Sequence, residues 1–155
     1  MAGSPLDHRD LFHTGIVVDD VELAKEELSA TLGVTWGAGG SSATPVVLVD
    51  GPRTMEFTYA YTNEGPHRLE LVAARPGTLW TVTAPGAAHH LGYWSDDVTA
   101  ASAALEAQGL PRVATVGTLD VGAGAAIVLH QARTGLYVEV VDRTYEAALF
   151  GSATS

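Results

Sequence analysis

The chain has no cysteine, few basic residues and no long hydrophobic run. The lack of cysteine excludes disulfides, thiolate metal ligands and thiol catalysis. There are 8 Lys and Arg residues against 18 Asp and Glu, a formal charge of −10 at pH 7, which argues against a nucleic-acid partner because phosphate contacts need clustered cations. No apolar run approaches the roughly 18 residues of a membrane span, and no signal-peptide core is evident near Met1. We therefore expect a soluble, cytoplasmic protein without a membrane partner.

The composition is that of one globular domain. Of the 155 residues, 46% are hydrophobic and 17% are charged, which is an ordinary balance for a chain that buries a core. We expect a flexible N-terminus over residues 1–10, a single domain over residues 11–142 and a C-terminal tail over residues 143–155.

One pattern occurs twice in the sequence. The segment HTGIVVDD begins at His13, and HLGYWSDD begins at His90. In each copy a β-branched, apolar strand leads to an Asp pair that can cap a helix, a glycine follows the helix, and three extended segments come next. The predicted strands are residues 11–18, 45–49, 55–61, 68–73, 89–95, 112–116, 125–130 and 136–142, and the predicted helices are residues 21–32 and 98–108. The repeat predicts an α+β fold of two β-α-β-β-β modules, over residues 11–75 and 88–142.

Each module places one histidine on its first strand and one glutamate on its last: His13 and Glu70, then His90 and Glu139. Side chains alternate along a strand, and all four residues lie on the face opposite the apolar stripe that is expected to pack under the helices. The alternation assigns Phe12 to that apolar stripe. A single strand His or Glu usually faces solvent, but a repeated pair within apolar segments favours a metal site. Two imidazoles and two carboxylates suit Zn, Ni, Co, Fe or Mn better than Ca or Mg.

These residues resemble the vicinal oxygen chelate superfamily, which includes glyoxalase I, bleomycin-resistance proteins, extradiol dioxygenases and methylmalonyl-CoA epimerase. The segments FHTGIVVDD, HHLGYWSDD, RLELVAARPG and GLYVEVVD are most similar to the epimerase-like branch. The resemblance implies two modules whose sheets curl around a metal-holding cleft, often in a homodimer. It places the ligands of one divalent ion at His13, Glu70, His90 and Glu139. A fourth ligand at Glu70 counts against dioxygen chemistry, for which two His and one carboxylate leave open positions.

The chain departs from the family in two places that border the expected cleft. The first is the segment over residues 37–42, which is rich in small residues and expected to be a flexible loop. The second is HQARTG, which begins at His130 and stands where the family often has a different turn before its last strand. Both departures bear on the identity of the substrate.

The resemblance favours an isomerase, an epimerase or a related lyase that acts on a small molecule containing a carbonyl. The metal would stabilise an enolate, and Glu139 would carry the proton. Glu56 resembles the position of a second acid–base carboxylate in epimerases, although an exposed strand position explains it better. Arg68, Trp94 and Tyr137 share the predicted cleft face and could shape a substrate pocket or hold an anionic group.

A protein of the bleomycin-resistance kind, which binds a small aromatic compound without chemistry, is the alternative. Trp36, Tyr59, Tyr61 and Trp94 could line its cleft. Such proteins usually lack the four ligands that this sequence retains. An enzyme of a specialised biosynthetic pathway with the same fold belongs with the first hypothesis.

Overall fold

The computed structural model describes residues 3–117 and 126–151. The strands are β1 (Leu11–Val18), β2 (Trp36–Leu48), β3 (Gly51–Thr62), β4 (Arg68–Ala73), β5 (His90–Ser95), β6 (Arg112–Val116), β7 (Ile127–Gln131) and β8 (Tyr137–Asp142). The helices are α1 (Val21–Leu32), α2 (Val98–Ala107) and α3 (Tyr145–Phe150), and a 3-10 turn covers His8–Asp10. Within those described ranges no helix is both long and apolar enough to cross a membrane.

The strands form one closed barrel in the order β1-β4-β3-β2-β6-β7-β8-β5. The first strand of each module pairs in parallel with its last, β1 with β4 and β5 with β8. Two antiparallel pairs, β1 with β5 and β2 with β6, join the modules. The predicted α+β fold of two curled β-α-β-β-β modules is confirmed.

Both long helices begin at the predicted aspartates. The Asp20 carboxylate accepts a hydrogen bond from the Leu23 amide at 3.0 Å, and the Asp97 carboxylate accepts one from the Ala100 amide at 2.9 Å. These bonds satisfy amides that the first helical turn leaves free. Gly33 follows α1 with φ 70°, a left-handed conformation that glycine adopts at low cost.

The two long helices cover the outside of the barrel. Val21 of α1 packs against Leu71 of β4, and Leu105 of α2 packs against Val128 and Val140. The barrel interior has its own buried side chains, and the strand residues that face it position the site.

Phe12 lies with the interior side chains, so its predicted position under the helices was wrong. Its ring stacks on Trp94 with the centroids 3.7 Å apart and lies 4.4 Å from the His13 ring. The register between β1 and β5 shifts between Leu11 and His13. Such a bulge interrupts the strict alternation of side chains, so Phe12 and His13 can share the interior.

β2 is longer than the sequence predicts, because residues 37–42 belong to the strand instead of forming a loop. Gly39 pairs with Ala60 and Gly40 with Tyr59 on β3. A Cβ atom at Gly39 would lie 2.5 Å from the Tyr59 carbonyl oxygen, so this part of the hairpin requires a residue without a side chain. Small residues have low strand propensity, and cross-strand pairing outweighs it here.

Residues 143–155, expected to be a tail, contain α3. Leu149 and Phe150 pack against a buried cluster of Phe12, Tyr61, Trp94 and Val141. Arg143, just before the helix, donates a hydrogen bond to Asp10 at 2.8 Å. The segment that contains α3 is therefore part of the barrel's packing, and Arg143 joins it to the segment that precedes β1.

Candidate metal centre

The four predicted ligands converge inside the barrel, one from each of β1, β4, β5 and β8. His13 and His90 are 0% and 1% exposed, and Glu70 and Glu139 are both 7% exposed. One nitrogen or oxygen atom from each residue lies within 4.8 Å of those of the others. Four polar side chains this deeply buried need strong partners, because unpaired buried charge is costly.

The distances among these atoms fit a common ion. Glu70 Oε2 lies 3.0 Å from His13 Nε2 and 2.9 Å from His90 Nε2, and the two Nε2 atoms are 3.0 Å apart. The Glu139 oxygens lie farther away, at 3.5 Å from His13 Nε2 and 3.6 Å from His90 Nε2. Ligands bound about 2.0–2.2 Å from one ion are separated by roughly 3 Å from their neighbours. The residues present therefore fit one divalent transition ion.

A glycine on the neighbouring strand makes room for each imidazole. His13 is paired with Gly92, and Gly15 with His90, across β1 and β5. A Cβ atom at Gly15 would lie 2.0 Å from Cε1 of His90, and one at Gly92 would lie 1.9 Å from Cε1 of His13. The repeated His-x-Gly motif is thus a steric requirement of the centre.

His89, which the sequence analysis did not single out, fixes the proton on His90. Its Nε2 lies 2.8 Å from the Leu79 carbonyl oxygen, which can only accept, so that nitrogen carries the proton. Its Nδ1 therefore accepts from His90 Nδ1 at 2.9 Å, which would leave the Nε2 lone pair of His90 available to a bound ion. Burial, followed by the charge of His90, lowers the pKa of His89 to about 4 and keeps the ring neutral at pH 7. The adjacent His pair was the only signal for this role in the sequence.

The pKa values of the two carboxylates are shifted in opposite directions. Burial raises the pKa of Glu139, and the Glu70 charge adds to that effect against the opposing influence of His90. Burial also acts on Glu70, but the charge of His13 and hydrogen bonds from both histidines outweigh it and lower the Glu70 pKa. Without a metal, Glu139 is the carboxylate that holds a proton more readily.

A cavity of about 320 Å³ opens onto Glu70, His90 and Glu139. Its wall combines aromatic and aliphatic side chains with hydroxyl groups from β2. The aromatic members are Phe57, Tyr59, Tyr61, Trp80 and Tyr145, and the β2 members are Ser42 and Thr44. Trp80 comes from the connection between the modules and packs edge to face on Phe57 at 4.8 Å. No periodic pattern marks that connection, so sequence reasoning missed Trp80.

Two aromatic residues predicted for the pocket pack away from this cavity. In the described part of the chain, neither Trp94 nor Tyr137 lines it. Trp94 is buried against Phe12, and Tyr137 lies beside His89 with ring centroids 4.8 Å apart. Of the aromatic residues proposed for a binding cleft, Tyr59 and Tyr61 line the cavity.

Trp36, the remaining aromatic residue of the binding hypothesis, lies under α1. Its indole nitrogen donates to the Lys25 carbonyl at 3.2 Å and to Ser29 Oγ at 3.0 Å. It packs with the helix-facing residues rather than with the lining of the cavity.

Arg68 holds backbone rather than a ligand. Its guanidinium donates to the carbonyl oxygens of Thr62 at 2.8 Å and Asn63 at 2.7 Å, where β3 turns into β4. It also lies 3.9 Å from the centre of the Phe150 ring, so it fixes α3 in place. These contacts place Arg68 outside the lining of the cavity.

Glu56 is exposed on the outer side of β3, and the structure does not bring it to the metal centre. Its neighbours Met55 and Phe57 are the buried residues of that strand segment. Side-chain alternation therefore directs Glu56 away from the interior. This outward position contradicts the suggestion that Glu56 is a second acid–base residue of the centre.

Comparison with known proteins gives the family. A family model described as Glyoxalase/Bleomycin resistance protein/Dioxygenase superfamily matches residues 12–127. No curated relative matches the sequence.

Solved structures share the fold at low identity. Methylmalonyl-CoA epimerase from Mycobacterium tuberculosis has a TM-score of 0.60 and 18% identity over 92% of this chain and 91% of that one. A Streptomyces coelicolor methylmalonyl-CoA epimerase variant in complex with 2-nitronate-propionyl-CoA has a TM-score of 0.58 and 17% identity over 86% and 96%. A hypothetical protein from Bacillus halodurans has a TM-score of 0.54 and 14% identity over 86% and 93%. The chain belongs to the glyoxalase, bleomycin resistance protein and dioxygenase superfamily.

Proposed function

We propose that the protein is a divalent-metal-dependent isomerase or epimerase, or a related lyase, acting on a small molecule that contains a carbonyl. The observation that carries this proposal is the convergence of His13, Glu70, His90 and Glu139 beside a cavity of about 320 Å³. Membership of the superfamily supports it, and so does the fold shared with epimerases. The nitrogen and oxygen donors suit Zn, Ni, Co, Fe or Mn.

When bound, a divalent ion would supply a Lewis acid for the enolate that forms as a proton leaves the carbon beside the carbonyl. The chain's own residues divide the remaining work. Glu70 lies within 3.0 Å of both imidazoles and would act as a fixed ligand. Glu139 lies 3.5–3.6 Å from them and lines the cavity, so it is the carboxylate that would take up and return the proton.

The carboxylates that line the described part of the cavity are Glu70 and Glu139. Inversion by two carboxylates on opposite faces of a carbanion would need another one, and Glu56 is exposed outside the barrel. A single proton-carrying group is sufficient for isomerisation, since it can remove a proton from one carbon and return it to the next. The arrangement therefore favours isomerisation over inversion by paired carboxylates.

Proton exchange in heavy water tests the proposal. Metal-loaded protein, incubated with a panel of α-hydroxy ketones and 2-substituted acyl thioesters, should place deuterium on the carbon beside the carbonyl of at least one compound. Glu139→Gln should abolish the exchange, and the exposed Glu56→Gln should retain it.

Metal content must be measured for each variant, because Glu139 is proposed both as a ligand and as a base. If Glu139→Gln retains its metal but no longer exchanges the proton, the result supports the role of Glu139 as the base. A metal-loaded wild-type protein that exchanges no proton of any compound in the panel contradicts the enzyme proposal.

The aromatic lining of the cavity favours one second candidate, a binding protein for a small aromatic compound. This function predicts binding of such a compound at micromolar or lower dissociation constants, without deuterium incorporation. The same panel therefore separates the two functions.

A further inference from the structure

We infer that the cavity takes an uncharged aromatic carbonyl compound, rather than an anionic substrate or an acyl-coenzyme A thioester. Only one part of this inference, the carbonyl group of the ligand, rests on the proposed function. The preference for an uncharged aromatic molecule follows from the charges and the wall of the cavity.

The metal centre offers no excess positive charge. Glu70 and Glu139 carry two negative charges when both bind a divalent ion, and the two imidazoles are then neutral ligands. The loaded centre has a net charge near zero. An anionic substrate would therefore add an uncompensated negative charge to a buried site.

The wall of the cavity does not supply the missing cation. Among the described residues that line it, none is Lys or Arg. A carboxylate or phosphate would enter without an ion-pair partner among the described residues of the lining.

Most basic side chains of the chain are already engaged elsewhere. Arg68 and Arg75 donate to backbone carbonyl oxygens. Others form ion pairs at the surface: Arg9 with Asp7, Lys25 with Glu22, Arg53 with Asp50, and Arg143 with Asp10 and Asp96. The phosphates of a coenzyme A thioester would thus find few free cations on a chain whose formal charge is −10.

The wall instead presents aromatic surfaces to a ligand. Phe57 and Trp80 pack edge to face, and Tyr59 and Tyr61 meet at 76° with ring centroids 5.8 Å apart. A ligand ring can add to such a cluster by stacking or by edge contacts. At about 320 Å³ the cavity is at the small end of ligand sites, which span roughly 300–1,000 Å³. A single substituted ring fits this size better than a nucleotide conjugate.

A matched pair of small probes tests the inference by calorimetry. The first is 2-hydroxyacetophenone, which is uncharged and carries adjacent ketone and hydroxyl oxygens. The second is mandelate, which has the same ring and adjacent oxygens but bears a carboxylate. We expect the uncharged probe to bind zinc-loaded protein about tenfold more tightly or better, because the carboxylate would add a buried negative charge that no Lys or Arg of the described cavity lining offsets.

Two substitutions test the cause. Ser42→Lys adds a cation at the exposed β2 wall of the cavity and should tighten mandelate binding severalfold relative to any change in 2-hydroxyacetophenone binding. Tyr59→Leu should weaken the uncharged probe roughly threefold to tenfold, since it removes an aromatic contact. Tyr93→Leu is the matched control, because it makes the same substitution at a tyrosine outside the described lining of the cavity. It should not weaken binding of the uncharged probe.

Binding and exchange separate this inference from the proposed function. If the protein binds the uncharged probe more tightly than mandelate but exchanges no deuterium, the result supports the ligand class and contradicts the proposed isomerase function. Equal or tighter binding of mandelate to wild-type protein overturns the substrate class, whatever the exchange experiment gives. Loss of the preference in Tyr93→Leu to the same extent as in Tyr59→Leu also overturns it.

Discussion

The imidazole of His90 lies in the space that a side chain at Gly15 would occupy. The two residues are paired across β1 and β5, and a Cβ atom at Gly15 would approach Cε1 of His90 to 2.0 Å. Gly92 stands in the same relation to His13, at 1.9 Å. The two histidines can meet at the barrel centre because each crosses over a glycine.

Gly15→Ala and Gly92→Ala should therefore each displace one imidazole and weaken metal binding by about tenfold or more, as loss of support around a ligand does. Thr14→Ala, on the same strand with its side chain directed to the other side, is the matched control. Titration with Co²⁺, followed by its visible absorption, measures the affinity. A Gly15→Ala protein that is folded and binds Co²⁺ as tightly as wild type contradicts this account of the centre.

His89 should matter for metal affinity although it is not a ligand. His89→Phe removes the acceptor for His90 Nδ1 and should weaken Zn²⁺ binding by about 10–100-fold. His89→Gln can still accept that hydrogen bond and should restore part of the affinity. His67→Phe, at an exposed histidine, is the control, and competition with a chromogenic chelator gives the dissociation constants. Unchanged affinity in His89→Phe would show that His89 does not set the His90 tautomer.

The metal-free protein should lose stability as Glu139 ionises. Burial first, and then the charge of Glu70, raise the pKa of Glu139 from 4.5 to about 7 despite the opposing effect of His90. Because the folded protein holds this proton more tightly than the unfolded chain, the contribution is complete below pH 4.5 and is lost as the pH rises through about 7.

Glu139→Gln has no such proton, so its melting temperature relative to wild type should rise between pH 5 and pH 8. The exposed Glu56→Gln should show no comparable trend. Thermal melts in the presence of a chelator make the measurement. A difference between Glu139→Gln and wild type that stays constant across this range would contradict the raised pKa of Glu139.

The repeat made the convergence of His13, Glu70, His90 and Glu139 predictable, because equivalent His and Glu positions in two copies are symmetric about the barrel. The details that failed depend on tertiary structure. Phe12 sits beside a bulge that side-chain alternation does not reveal. Glu56 was assigned by resemblance, although its alternation with Phe57 and Tyr59 directs it outward. Trp80 lies in a connection without a repeat partner, so its place in the wall emerges only from packing.

We expect a homodimer, because the cleft of superfamily members is commonly completed by a partner chain. β2 pairs with β6 only near its end, over Val46, Val47 and Leu48. Within the described ranges the rest of that edge of β2 has no strand neighbour, which leaves backbone groups that a second copy could pair. Sedimentation should give twice the chain mass of 16.1 kDa. A stable monomer at micromolar concentration contradicts this expectation.

Metal stoichiometry tests the central claim most directly, since the account depends on His13, Glu70, His90 and Glu139 sharing one ion. Elemental analysis should find close to one divalent transition ion per chain after reconstitution with Co, Ni, Zn or Mn and removal of excess metal. A chelator should remove that ion, and the double variant His13→Ala, His90→Ala should not regain it. An occupancy near zero in reconstituted wild type, or an undiminished occupancy in the double variant, would contradict the claim.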